Sequence, residues 1–163
     1  MKKTLIVLFL AISGFVSAQA YKGKGDIKFQ VGANIQKWGS GISVTTDFGI
    51  GENMSYGFVT SYLLNTNEDF GTPKFEDRFD VKARFNANIG NVFKLKNNID
   101  IFPGLDLGLR NFGAHLGARY FFTNGFGIYS EIGFPIAKYK TSPILYENLN
   151  NQFVFNIGAS FNL

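Results

Sequence analysis

Apolar residues recur at every second position through eight separate segments, a period that strands satisfy and helices do not. The clearest segment is 78–89, where Phe79, Val81, Ala83, Phe85, Ala87 and Ile89 alternate with Arg78, Asp80, Lys82, Arg84, Asn86 and Asn88. The same pattern runs through 26–36, 42–51, 54–64, 99–109, 114–122, 127–136 and 152–163. Runs of about nine to thirteen residues are the length that a tilted strand needs to cross a bilayer. An even number of strands lets the last pair with the first, and closure removes the edges that such sticky strands would expose. The expected fold is all-β: an eight-stranded antiparallel up-and-down transmembrane barrel with a filled polar interior.

Alternation alone does not say which face looks outward. An eight-stranded barrel has an interior just wide enough to be filled by side chains. The apolar face carries Phe29, Phe48, Phe58, Tyr62, Phe85, Tyr120, Phe134, Phe155 and more aromatics besides, a volume that does not fit inside. Gly32, Gly49, Gly57, Gly104, Gly108, Gly117, Gly133 and Gly158 all fall on the polar face. There they would weaken a solvated exterior but make room in a crowded lumen. Lys28, Lys82, Arg84 and Arg119 share that face with Asp26, Asp47, Asp80, Asp100, Asp106 and Glu131. Four cations turned to lipid would cost roughly 2–4 kcal/mol each near the midplane, comparable in sum to the ~5–15 kcal/mol that stabilises a typical domain. The polar face is therefore expected inside.

The first residues follow another rule. Lys2 and Lys3 precede an apolar stretch at 5–16, and Val16-Ser17-Ala18 supplies small residues at cleavage spacing. This is the build of a secretory signal peptide, too short for a membrane helix. Residues 1–18 are expected to be removed between Ala18 and Gln19, with Ala20 as the alternative cut, leaving 19–163 as one barrel domain. An uncleaved N-terminal anchor is the competing reading. Without Lys2 and Lys3, 14 of the 16 basic residues remain against 12 acidic ones, and the net charge falls from +4 to +2. That balance, in an exported chain, excludes nucleic acid as a partner. With no cysteine in the sequence, closure cannot rest on disulfides.

Turn lengths predict registers. A three-residue turn at 124–126 places Arg119 opposite Glu131, so an interior Arg119–Glu131 ion pair is expected, with Arg84 and Asp106 in the same network. A four-residue turn at 110–113 places Asp106 opposite Gly117. Pro103 and Pro135 each remove a ladder donor and are expected at a bulge or a rim.

Three stretches, Tyr21-Lys22-Gly23-Lys24-Gly25-Asp26, Phe102-Pro103-Gly104-Leu105-Asp106-Leu107-Gly108 and Gly117-Ala118-Arg119-Tyr120-Phe121-Phe122, carry a resemblance. The chain resembles the small outer-membrane β-barrel proteins of Gram-negative bacteria, the OmpA-like and OmpX-like group, over essentially its whole mature length. The resemblance implies an outer-membrane address reached by the general secretory route, insertion by the barrel-insertion machinery, contact with outer-membrane lipid, a monomer, and both termini in the periplasm. The outer loops would then be 37–40, 65–75, 110–113 and 137–150, and the inner turns 52–53, 90–97 and 124–126. Such proteins often finish on an aromatic residue; this chain finishes Phe161-Asn162-Leu163, with the aromatic two positions early.

No catalytic signature emerges, and no cofactor is expected. His115 is the one histidine, so a histidine cluster for a metal is impossible, and its inward position suits a hydrogen-bonded filler. A lipid-modifying enzyme of the acyltransferase or lipase type would instead pair it with Ser61 or Ser43, but would need an orienting acid and an oxyanion site as well. Interior carboxylates facing cations suit a salt-bridge core better than acid–base catalysis. Trp38, Tyr139 and Tyr146 fall at outer loops, where an interfacial aromatic belt is the simple reading. Together with Asp69, Phe70 and Phe75 they are also the candidate surface contacts for a ligand of unknown identity. The leading expectation is a non-enzymatic barrel with a structural or surface-interaction role. The alternatives are the lipid-modifying enzyme and a soluble exported barrel binding a hydrophobic ligand.

Overall fold

The computed structural model describes residues 19–67, 73–140 and 145–163. The expected cleavage residue Ala18, and Asp69 and Phe70 of the longest early loop, lie outside them. Eight strands follow one another in chain order: β1 Ile27–Gln36, β2 Gly39–Gly49, β3 Met54–Thr66, β4 Phe79–Ala87, β5 Ile99–Gly108, β6 Asn111–Phe121, β7 Phe126–Lys138 and β8 Val154–Asn162. Each pairs antiparallel with the next, and β8 returns to β1 through Lys28↔Asn162, Gly32↔Gly158 and Gln36↔Val154. The sheet is a closed barrel. One helical turn, α1 (Phe75–Arg78), precedes β4, and a 3-10 turn (Leu145–Asn148) precedes β8. The second falls in a segment expected to be a plain loop, while α1 runs from the last residue of the expected 65–75 loop to Arg78, the first of the expected strand. The start of β1 and the end of β8 share one end of the barrel, the terminal end, with the β2–β3, β4–β5 and β6–β7 turns. The other end is the loop end.

The expected faces hold. Outward positions are apolar and open, with Phe58 52%, Leu107 61% and Phe134 47% exposed. Inward positions are polar and closed: Lys28, Gln30, Asp47, Arg84, Asn86, Asp100 and Arg119 are all buried. The few buried apolar side chains sit mostly at the ends of the lumen. Ala20, Tyr21 and Phe121 close the terminal end, and Leu63, Leu149 and Val154 lie toward the loop end. This is the reverse of the oil-drop arrangement, in which charged groups are almost never fully buried.

Two registers differ from expectation. Between β6 and β7 the partners are Phe121↔Gly127, Arg119↔Tyr129 and Gly117↔Glu131, two residues away from the pairing predicted by a three-residue turn. Thr123 is the cause. Its Oγ1 accepts from Phe126 N at 3.1 Å, while Phe122 N and Thr123 N both donate to Phe126 O. A side-chain oxygen competing for a ladder donor widens the turn. Between β5 and β6 the partners are Asp106↔Gly113 and Asp100↔Arg119, so Asp106 does not face Gly117. Asn111 is drawn into the barrel mouth, where its Nδ2 donates to Asn150 O at 3.1 Å and Asn151 Oδ1 at 2.9 Å, which keeps 111–113 in the ladder. Both shifts are even, so no side chain changes face.

The prolines divide. Pro135 adjoins a bulge: Gly113 pairs with Pro135 and Phe112 with Ala137, leaving Ile136 unpaired. Pro103, expected at a bulge or a rim, is in regular register with Leu116 in the middle of β5. Its other side faces β4 just past the last partner pair, Asn86↔Gly104, and the next link is Ile89 N to Ile101 O at 2.9 Å. The missing donor falls in a gap of the β4–β5 ladder.

Candidate functional site

The lumen is one hydrogen-bonded and ionic network built across non-adjacent strands. Arg84 on β4 donates from Nη2 to Glu131 Oε2 on β7 at 2.7 Å, and its Nε lies 3.6 Å from Asp47 Oδ1. Gly57 stands between Asp47 and Arg84 in the sheet, and a Cβ there would overlap the Asp47 carboxylate that Arg84 faces. Arg119 is not paired with Glu131. Its Nη2 meets Asp100 Oδ2 at 3.0 Å on the opposite residue of β5, its Nη2 also donates to Asn88 Oδ1 at 2.6 Å, and Nη1 lies 3.7 Å from Asp47. Asp47 therefore links the two guanidiniums. Lys28 pairs with Asp26 at the terminal end.

Phe102, which the alternation put on the polar face, lies close to both arginines. The Arg119 guanidinium is 4.3 Å and that of Arg84 5.6 Å from its ring centre, an arrangement that favours a desolvated cation. The ring is accommodated because its neighbour is Gly117: a Cβ there would overlap the Phe102 ring. His115 holds Asp106 Oδ1 at 3.0 Å through Nδ1 and Asn86 Oδ1 at 2.8 Å through Nε2. Its partners are thus a carboxylate and an amide rather than Ser61 or Ser43. Toward the loop end a polar cavity of about 30 Å³ is lined by Asp80, Lys82, Asp106, Glu131 and Asn156 among others, room for about one or two water molecules.

Both mouths are closed by chain. At the loop end Gln36 and Asn150 bond reciprocally, Gln36 Nε2 to Asn150 Oδ1 at 2.9 Å and Asn150 N to Gln36 Oε1 at 2.8 Å; Asn150 takes the left-handed φ of 60°, which asparagine tolerates. At the terminal end Ala20 N donates to Asn97 O at 2.7 Å, and Tyr21 Oη donates to Gly51 O at 3.0 Å and Met54 O at 2.5 Å. Burial pushes the Tyr21 phenol up to about 12, with the Asp26 charge adding to it. Gln19 is described, and its carbonyl accepts from Asn162 Nδ2 at 3.3 Å.

A larger concavity lies outside the lumen. A cleft of about 400 Å³ at the loop end is walled by Phe75, Phe79, Leu109 and Tyr139 and edged by Glu76, Arg110, Lys140 and Glu147, within the size range of small-molecule sites. Phe75 stacks on Phe79 at 5.5 Å and reaches Tyr62 at 5.4 Å, so α1 serves to aim Phe75. Arg110 donates to Glu76 O, and Lys140 pairs with Glu147. Of the aromatic surface candidates, Phe75 and Tyr139 come together here. Tyr146 lies in the 3-10 turn and does not line the cleft. Trp38 caps the β1–β2 turn at φ 66° with Lys37 Nζ 4.1 Å from its ring centre. The sequence carried no signal for the cleft, because it depends on α1 and on the 3-10 turn.

Comparison with solved structures finds a chain described as "De novo design of transmembrane beta-barrels", with 9% sequence identity and a TM-score of 0.49, covering 87% of this chain and 98% of that one. Comparison with curated proteins finds no match. A family model matches residues 11–163, nearly the whole chain, and the protein belongs to that family, a family of unknown function (DUF6646).

Proposed function

We propose that this protein is a non-enzymatic outer-membrane β-barrel of a Gram-negative cell, exported by a cleaved signal peptide and monomeric in the membrane. Its role is structural or lies in contacts made by its loop end. One observation carries the membrane reading: charged and amide side chains fill the interior while Phe58, Phe85, Leu107, Phe134 and Ile157 stand open on the outside. An exposed apolar surface of that extent has a favourable solvent only in lipid. The capped mouths and filled lumen disfavour a pore. The non-enzymatic reading is supported by His115, both of whose ring nitrogens are taken up by Asp106 and Asn86. For a surface contact, the cleft of Phe75, Phe79, Leu109 and Tyr139 offers a concave apolar place at the loop end.

Membrane fractionation of the full-length protein tests this, with electrophoresis of boiled and unboiled samples. Recovery in the outer-membrane fraction with faster migration unboiled is the expected result. A soluble periplasmic protein with no heat shift would overturn the reading.

A further inference from the structure

The terminal end carries an exposed group that the fold does not need. The 88–98 turn between β4 and β5 is held by Phe93 N to Ile89 O, Lys94 N to Asn91 O and Leu95 N to Gly90 O. These bonds fix a finger that holds Val92 58% and Phe93 64% exposed, outside the strand ladder. Lys94 and Lys96, both exposed, follow directly. Ala20 N to Asn97 O ties the N-terminal segment to the same turn, and that segment adds the exposed Lys22 and Lys24. Against these four lysines, Glu52 is the one exposed acidic side chain at that end among the described residues; Asp26 is buried and paired with Lys28. The loop end also carries exposed lysines, Lys37, Lys74, Lys138 and Lys140, but there they stand among Glu76, Asp77 and Glu147, and Lys140 is paired with Glu147.

Apolar side chains beside a run of lysines, at the rim of an apolar belt, match the chemistry of an anionic phospholipid leaflet. We propose that the terminal end is a collar for anionic phospholipid headgroups, with Lys22, Lys24, Lys94 and Lys96 meeting the phosphates and Val92 and Phe93 seated among the acyl chains. The collar rests on the membrane reading above. A water-facing finger would gain nothing from Val92 and Phe93, and a zwitterionic surface would leave the lysine excess unanswered.

Because the chain has no cysteine, Val92→Cys accepts a single environment-sensitive fluorophore. The labelled full chain is reconstituted in phosphatidylcholine bilayers with and without a minority of phosphatidylglycerol. The expected result is a blue shift and stronger quenching by brominated lipid when phosphatidylglycerol is present, reversed by salt. Lipid co-purifying from the mixed bilayer should be enriched several-fold in phosphatidylglycerol. Replacing all four lysines by glutamine (K22Q, K24Q, K94Q and K96Q) should return both readouts to the pure phosphatidylcholine level with insertion and heat-shifted migration intact. The collar is overturned if the labelled barrel with all four lysines inserts in both bilayers with the same signal, or if the labelled fourfold variant keeps the response. Failure to insert in either bilayer overturns the membrane reading, and the collar with it.

Discussion

Arg84 Nη2 meets Glu131 Oε2 at 2.7 Å across the lumen and so joins β4 to β7, strands that share no ladder in the barrel. Strand number and stagger set the cross-section of a closed barrel; a cross-lumen pair of this kind ties walls that the ladder does not join. Breaking a buried ion pair by removing one partner leaves a stranded charge, at a cost of about 3 kcal/mol or more. Glu131→Gln should therefore lower the urea midpoint of the refolded barrel substantially while the unboiled protein still migrates fast. Arg84→Met combined with Glu131→Leu, which removes both charges, should recover much of the loss. A Glu131→Gln midpoint equal to the parent's would show that Asp47 alone suffices for Arg84.

Phe102 and Gly117 form a size-matched pair. The aromatic ring occupies the volume in which a Cβ at 117 would lie, with the guanidiniums of Arg119 and Arg84 close to it. Gly117→Ala should destabilise by about 1–3 kcal/mol, the usual cost of overpacking. Phe102→Leu in the same chain should relieve part of it. Unfolding midpoints of the two single variants and the double variant decide the matter: strict additivity would mean that the two residues do not compete for space.

That pair also marks how far the sequence could be read. Period two gave the side of the wall for nearly every residue, because burying Arg84, Asp106, Arg119 and Glu131 while exposing Phe58 and Phe85 leaves one choice. It could not give partners. Thr123 Oγ1 and the Asn111 amide reset two turns by an even number of residues, which alters no face and therefore leaves no trace in the pattern. Arg119 was expected to meet Glu131 and meets Asp100; Asp106 was expected to meet Gly117 and meets Gly113. Phe102 stood on the polar face in the alternation, but its place beside Gly117 follows only from the true β5–β6 register. The loop-end cleft was illegible for another reason: α1 and the 3-10 turn are each four residues long, too short for any periodicity to reveal.

His115 offers a test of the non-enzymatic reading. Its ring satisfies Asp106 and Asn86 together, so His115→Ala should cost about 1–3 kcal/mol by stranding a buried carboxylate. The envelope lipid profile of cells carrying the variant should match that of cells with the unsubstituted protein at equal barrel abundance. A changed acyl composition at equal abundance would favour a lipid-modifying activity instead.

Tyr21 closes the terminal end, and its phenol gives that closure a pH dependence. Its hydroxyl donates to Gly51 O and Met54 O, and the folded group titrates near 12 rather than near its ordinary 10. Below pH 10 both folded and unfolded chains keep the proton, and the hydrogen bonds contribute in full. As pH rises from 10 toward 12 the unfolded chain releases the proton while the folded one still holds it, so the contribution of Tyr21 falls across that window. Tyr21→Phe removes the hydroxyl and the titration together. At neutral pH the variant should be less stable by about 1–2 kcal/mol. The gap between it and the parent should then narrow as pH climbs through 10 to 12, every other titrating group being common to both. Urea midpoints of the two proteins over that range provide the measurement. A gap constant with pH would mean that the phenol ionises alike in both states and that the N-terminal segment does not hold it buried.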